Sequence, residues 1–406
     1  MQLTLKNFFV PYRFVKKSAD ISATSICAIV PSYKPEELTV SLVRDLINWN
    51  PSILVYVVDD CTPQNYLNEH NTFEEISTIS DRVKVLRTPT NKLKAGAINF
   101  ALSQIARDHI EKLPDVVITL DDDVVIEKNT IDNLVEELKS YDHLGAVCSQ
   151  CRVLNKNKNL LTRLQGLEYF GFNATRLADE GFHYGPLVMH GMLTAFKMEA
   201  LLKTGFFAEG HLIEDYEITT RLKRHGYHVK SAPRSFASTR VPETFTEFWK
   251  QRARWSYGGI TVVTDVRNWG VVVQDTIGHF MFISTVILLN LLLIINTTQK
   301  VPSLVLSLIV IFSFAQCLIW YSFQLHLMKK YKDKDTTDWI IRLTLIPEFI
   351  YANMLTVVLI GSYCFLIFNT LTTGLSESGV LGRSSRSLRS FFRLIGYTEG
   401  WGTRTS

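Results

Sequence analysis

Short β-branched runs alternate with segments of helical periodicity between Ile26 and about Pro233. The runs are Ile26–Pro31, Ile53–Val58, Val83–Leu86, Val116–Leu120 and Gly145–Cys148, each almost wholly apolar. Strands without polar alternation are buried on both faces, which predicts a largely parallel sheet covered by helices on both sides. In open α/β sheets of this kind, ligands sit beyond the carboxyl ends of the strands. The polar residues that follow each run are therefore the ones to read for chemistry.

The pattern changes in the last third of the chain. Three stretches lack any charge: Ile277–Gln299, Val301–Met328 and Phe349 up to Ser376. Each exceeds the roughly 20 residues that a helix needs to cross a bilayer core, which predicts transmembrane helices between 276 and 376. Lys329, Lys330, Lys332 and Lys334 follow the second stretch, whereas Lys300 alone separates it from the first. The positive-inside rule then puts the second loop and the preceding soluble domain in the cytoplasm. A third full crossing would export a basic tail, 377–406, so the region from Trp339 to Asn369 is expected to break at Pro347 and return as a re-entrant pair. Residues 241–275 mix Phe245, Trp249, Trp255 and Trp269 with Lys250, Arg252 and Arg254, as an interfacial collar on the lipid bilayer would. The N-terminal segment, 1–24, mixes Phe8, Phe9, Tyr12 and Phe14 with Lys6, Arg13, Lys16 and Lys17, which suits a membrane surface.

Charge and cysteine usage narrow the class. A formal net charge of +4 on 406 residues, with no dense basic block, argues against a nucleic-acid partner. Of the six cysteines only Cys148 and Cys151 have metal-ligand spacing, and no second pair completes a tetrahedral zinc site. Scattered thiols fit a reducing, cytosolic setting. No residue pattern fixes an oligomeric state.

Two acidic clusters end strands in corresponding positions, Asp59-Asp60 after the second run and Asp121-Asp122-Asp123 after the fourth. Carboxylates gathered on one sheet edge repel unless a cation or hydrogen-bond donors lie between them. Mg²⁺ or Mn²⁺, which take oxygen ligands and bridge carboxylates to substrate phosphates, would relieve that repulsion. For either cluster alone a solvated turn is the simpler account. A third acidic pair, Glu214-Asp215, opens a helical pattern, where carboxylates also serve the helix dipole. Lys92 and Lys94 open another helix, with Gly96 permitting close approach, and suit an anion. Gln251-Arg-Ala-Arg-Trp255 combines an amide, two guanidiniums and an indole, able to grip a diphosphate and offer a flat face to a ring.

Together VPSY at 30–33, VVDD at 57–60, NKLKAG at 91–96, LDDD at 120–123, IED at 213–215 and QRARW at 251–255 resemble the membrane-bound processive family 2 glycosyltransferases. Cellulose, chitin, hyaluronan and poly-N-acetylglucosamine synthases belong there, and WGTR at 401–404 is similar to an element near the end of some members. The resemblance implies an α/β, Rossmann-like GT-A domain over 25–240 in the cytosol, followed by interfacial helices and C-terminal transmembrane helices in the cell membrane. It implies that Asp60 contacts the uracil or ribose of a UDP-sugar, with Tyr33 nearby, and that Lys94 reaches the donor phosphates. Asp121 and Asp123 would form the DxD pair, with Asp123 the direct ligand of Mg²⁺ or Mn²⁺ and Asp122 turned away. Asp215 would be the general base, Gln251 and Arg254 would hold the pyrophosphate, and Trp255 would face the glycan acceptor. The chain departs from the family in Cys61-Thr62 after the paired aspartates, in Lys197, and in the lack of a transmembrane helix ahead of the catalytic domain.

Three alternatives share parts of the pattern. A single-sugar transfer to a polyprenyl-phosphate lipid would need no acceptor-facing Trp255. Leu120–Val125 also fits the DxDx(T/V) signature of haloacid dehalogenase-type phosphatases, which leaves QRARW and the Glu214-Asp215 pair unexplained. A channel or receptor with a nucleotide-binding domain would need neither.

Overall fold

The structure, a computed structural model, describes residues 12–266, 302–372 and 380–397. The chain divides into two compact units, one formed by residues 1–268 with 352–406 and the other by 269–351.

In the first unit, β1 (Ile26–Ser32), β2 (Leu54–Asp59), β3 (Val83–Arg87), β4 (Val116–Leu120), β5 (Val125–Ile126), β6 (Leu144–Val153), β7 (Leu193–Lys197) and β8 (His228–Thr239) form one sheet. Its spatial order is β3-β2-β1-β4-β7-β6-β8-β5. The five strands expected from the sequence are present. The sheet is mixed rather than largely parallel, because β7 runs antiparallel to both β4 and β6, and β5 antiparallel to β8. β1 shows why its sequence carries no polar alternation. Ile26, Ala28 and Val30 belong to one core, while Cys27 and Ile29 belong to the core on the opposite face.

Helices α1 (Glu37–Trp49), α2 (Gln64–Glu69), α3 (Thr72–Thr78), α4 (Leu93–Asp108), α5 (Thr130–Lys139), α6 (Leu160–Ala178), α7 (Met198–Thr204) and α8 (Glu214–Arg224) complete the α/β domain. Leu42 and Leu46 of α1 and Leu134 and Leu138 of α5 fill the first core, whereas Ile98 and Leu102 of α4 and Leu222 of α8 fill the second. Lys230 on β8 is buried yet satisfied by Glu137 and by Glu180 at 2.7 Å, the condition under which a charge is tolerated inside a sheet.

Residues 12–17 lie on this domain. Tyr12 packs 4.3 Å from His228, Phe14 packs 5.4 Å from Tyr141, and the Lys17 N–H donates to Ser140 O at 2.9 Å. Tyr12 and Val15 stay exposed, and residues 1–11, with Phe8 and Phe9, lie outside the described part.

α9 (Phe245–Val266) carries QRARW and packs with the later helices of the same unit. Ala253 clusters with Val358, Phe365 and Tyr397. Tyr397 donates to Val358 O at 2.6 Å, and the Trp249 indole donates to Ile395 O at 2.6 Å. The helix that carries QRARW and residues 395–397 of the basic tail thus share one aromatic core.

Of the three charge-free stretches, the first lies outside the described residues. The second forms α10 (Ser303–Lys330), followed by α11 (Thr336–Thr344). The third forms α12 (Ile346–Thr372), which is followed by α13 (Val380–Leu394). Among the described residues α12 is one helix long and apolar enough to cross a membrane. The expected break at Pro347 is displaced: the helix is interrupted at Leu345, with φ +61°, and runs unbroken from 346 to 372. Pro347 sits in the first turn, where its missing N–H costs nothing, so it starts the helix rather than folding it back.

Candidate active site

Parallel β1, β2 and β4 end at the same edge, bringing Tyr33, Asp60 and Asp121 to one side. Antiparallel β7 begins at that edge, since Leu120 pairs with Leu193 and the Asp121 N–H donates to Met192 O at 3.0 Å. His190-Gly191 thereby comes to lie against the acidic motif.

Lys94, in the first turn of α4, is the centre of the resulting cluster. Its Nζ is 2.6 Å from Asp121 Oδ1, 2.9 Å from Glu214 Oε1 and 3.1 Å from Gly191 O. Burial works against its charge, but Asp121, Glu214 and Asp215 outweigh it and the pKa is raised. Asp121 is raised by burial and by the Asp123 charge, with Lys94 opposing. Glu214 is held low despite burial, chiefly by Lys94 and in part by Arg254.

Asp215 stands in the first turn of α8. Its Oδ2 accepts from the Gly191 N–H at 2.8 Å and its Oδ1 from the Tyr216 N–H at 2.8 Å. Burial and the neighbouring Glu214 charge raise its pKa to about 7, against Lys94 and those two amide donors. A carboxyl that exchanges its proton near neutrality has the affinity that acid–base catalysis asks for. Gly191 is required for this approach, because a Cβ there would meet Lys94 Nζ at 2.5 Å and Asp215 Oδ2 at 3.3 Å.

The three aspartates of the 121–123 run diverge. Asp121 faces Lys94, Asp122 accepts from the Ser32 hydroxyl, and Asp123 accepts from Thr239 Oγ1 at 2.9 Å. Among the described residues no three His, Cys, Asp or Glu side chains gather to hold a metal by themselves. Asp121 and Asp123 nevertheless fit a hard divalent cation. Both are oxygen donors, their charges repel, and a pair of carboxylates leaves the remaining coordination positions to phosphate and water.

Asp60, expected to contact the nucleotide, stands at the end of β2. It is 3% exposed, and its Oδ1 accepts from the Lys92 N–H at 2.7 Å and Thr88 Oγ1 at 3.1 Å. That oxygen ties the loop after β2 to the loop before α4. Asp59 does similar work, paired with Arg87 and accepting from the Thr62 N–H at 2.7 Å. Cys61 adopts φ +58°. Tyr33 is half-buried beside Lys34, whose Nζ is 5.4 Å from its ring.

On α9, Arg254 is exposed, while Gln251 and Trp255 are half-buried. Gln251 accepts from Arg252, and Trp255 packs against the first core. Sequence reasoning missed Gly191 and Thr239, gave Ser32 no role, and counted Arg252 with the guanidiniums that grip a diphosphate, whereas the structure buries it against Glu168. A small residue just ahead of the apolar run Leu193–Phe196 was the only available signal for Gly191.

An α/β domain with this strand order and an acidic strand-end cluster is a glycosyltransferase architecture of the GT-A-like kind. The sequence matches glycosyl transferase family group 2 over residues 116–369 and glycosyl transferase family 2 over residues 27–202. The first match spans more than half of the chain, and the chain belongs to this family of glycosyltransferases. Similar proteins include the poly-β-1,6-N-acetyl-D-glucosamine synthase of Staphylococcus epidermidis, 29% identical over 180 residues, 44% of this chain and 42% of that protein. The synthase of the same name from Staphylococcus aureus is 29% identical over 173 residues, 43% of this chain and 40% of its own length. The match thus spans about two fifths of these relatives. Among solved structures, the mannosyltransferase PcManGT of Pyrobaculum calidifontis, in complex with GDP-Man and Mn²⁺, aligns over 83% of this chain and 92% of its own. Its TM-score is 0.51 at 16% identity, a likeness of fold. Membership of the family leaves the phosphatase and receptor alternatives without support.

Proposed function

We propose that this glycosyltransferase moves a sugar from a UDP-sugar to the non-reducing end of a growing β-linked glycan at a membrane, inverting the anomeric carbon. The observation that carries this reading is Asp215, pinned by two backbone N–H groups with its pKa raised to about 7, beside Lys94 and Asp121. The acceptor hydroxyl gives its proton to Asp215 as its oxygen bonds to the anomeric carbon. The bond from that carbon to the diphosphate breaks on the opposite face, and UDP leaves with the electron pair. One in-line displacement turns an α-linked donor into a β-linked product.

Charge grows on the departing diphosphate, so cations that already stand there lower the barrier without reorganising. Lys94 and Arg254 are those cations, with the Gln251 amide donating beside them. Mg²⁺ or Mn²⁺, held by Asp121 and Asp123, would supply further positive charge to the diphosphate when bound. Tyr33 borders the nucleoside, Asp60 orders the loop that receives it, and Trp255 gives the acceptor sugar a flat apolar face. The catalytic domain lies on the cytoplasmic side of the cell membrane, crossed by α12 and the other apolar stretches. Similarity to the staphylococcal synthases favours N-acetylglucosamine as the sugar and a polymer as the product.

The test is to incubate membranes carrying the full chain with labelled UDP-sugars and Mn²⁺ or Mg²⁺, then size the product and digest it with linkage-specific hydrolases. A β-linked polymer is expected, and Asp215→Asn should abolish it while retaining UDP binding. A single-sugar lipid product would overturn the polymer reading, and loss of UDP binding in Asp215→Asn would remove its role as base.

A further inference from the structure

Arg252 and Arg254 stand two residues apart in QRARW yet have opposite surroundings. Arg254 is exposed, whereas Arg252 is 4% exposed and points into the protein. The Arg252 guanidinium donates to Glu168 of α6 and, from the same nitrogen, reaches Gln165 Oε1 at 3.5 Å. Its other terminal nitrogen donates to Gln251 Oε1. Its Cζ lies 4.3 Å from the centre of the Trp255 ring. Residues three apart share a helix face, so Arg252 lies over Trp255 by construction.

Stability alone gives little reason for this arrangement. A buried ion pair can often be replaced by apolar side chains of similar volume at no loss. A planar fork, however, can do what Lys or Met cannot: bond edge-on to a carboxylate and an amide while its flat face stacks on an indole. Glu168 and Gln165 together fix the plane, and Gln165 is itself tied through its amide nitrogen to Pro242 O at 2.8 Å and to Leu161 O at 3.2 Å.

We propose that Arg252 is a positioning residue: fastened to α6 through Glu168, it stacks on one face of the Trp255 indole and so aims the other face at the acceptor sugar. This rests on the reading of Trp255 as the acceptor platform. Arg252 also steadies Gln251, but Lys94 and Arg254 remain to hold the diphosphate, so the larger effect falls on the acceptor.

The test uses the full chain in lipid nanodiscs, with UDP-N-acetylglucosamine as donor and an N-acetylglucosamine oligomer as acceptor, reading UDP release. In Arg252→Lys the acceptor KM should rise about tenfold while UDP affinity, from displacement of a fluorescent nucleotide, changes by less than about threefold. Glu168→Gln, which keeps volume and hydrogen bonding, should shift the acceptor KM in the same direction by about threefold. In a Trp255→Leu background, Arg252→Lys should change the acceptor KM by less than about twofold, because no indole remains to be held. An equal effect in both backgrounds would show Arg252 acting independently of Trp255 and overturn the proposal. An unchanged KM in an active Arg252→Lys enzyme would overturn it as well. Absence of UDP release from the unmodified chain would instead sink the glycan-transfer reading, and this inference with it.

Discussion

Replacing Glu214 by Gln should extend activity to lower pH, although it takes an acid out of the active site. Burial raises the Asp215 pKa first, and the Glu214 charge adds to that. Glu214 Oε1 and Asp215 Oδ2 each lie 3.3 Å from where a Cβ on Gly191 would stand, so the two charges are close. At roughly 6 Å and an effective dielectric constant of about 20, two like charges repel by about 3 kcal/mol, equivalent to about 2 pKa units. The variant also frees Lys94 from one carboxylate, leaving its charge to act on fewer acids. Both changes lower the pKa of Asp215. A base works only when deprotonated, so the unmodified enzyme should lose kcat/KM as pH falls through about 7, and the variant should lose it about one to two units lower. UDP release measured from about pH 5 to 8.5 at low substrate reads this limb in the free enzyme. A limb that stays in place, or moves upward, would refute the placement of the base.

Three further outcomes follow from the same geometry. Gly191→Ala should cut turnover severely, read as UDP release, because the new Cβ would meet Lys94 Nζ at 2.5 Å and drive it from Asp121 and Glu214. Asp123→Ala should abolish activity and its dependence on Mn²⁺, whereas Asp122→Ala should keep most activity and cost about 1 kcal/mol in thermal unfolding through the lost bond to Ser32. Gly258→Ala in α9 would gain about 1 kcal/mol of helix propensity at an open site. Here its Cβ would meet Ile213 Cγ1 at 2.6 Å, directly ahead of Glu214. The melting temperature and kcat should both fall, and a rise in either would contradict that contact.

Much of the fold was legible because four of the expected strands, β1, β2, β4 and β6, are buried on both faces and therefore read as apolar runs, whereas β3, at the edge of the sheet, is partly exposed and has Lys84 within it. β7 and β8 were not legible. β7 is five residues long and ends in Lys197, and β8 carries Lys230, Ser231, Pro233 and Ser235. Its buried lysine is acceptable only because Glu137 and Glu180 reach it from elsewhere, and Pro233 falls where the register with β6 shifts between Cys148 and Gln150. The same limit applies to the site. Lys94, Asp121 and Asp215 could be found because each follows a strand or opens a helix. The contact of Arg252 with Glu168 spans 84 positions, and no local pattern encodes it.

The reversal of chain direction between β4 and β7 is what makes the cluster chemically workable. The parallel strands end at this edge with the side chains that follow them, which brings acids together. An antiparallel strand that begins here brings a backbone segment instead, with its own donor and acceptor. Gly191 uses both: its N–H donates to Asp215 at 2.8 Å, and its carbonyl accepts from Lys94 at 3.1 Å. One peptide segment therefore holds an acid and a cation beside each other, each with a partner of suitable polarity. Without the carbonyl, Lys94 would be free to pair fully with Asp215, and such a pairing would depress the pKa of the base and weaken it as a proton acceptor. A residue with any side chain at this point would push the two apart. Burial and Glu214 raise the pKa of Asp215, and the start of β7 fixes where that carboxyl and Lys94 stand.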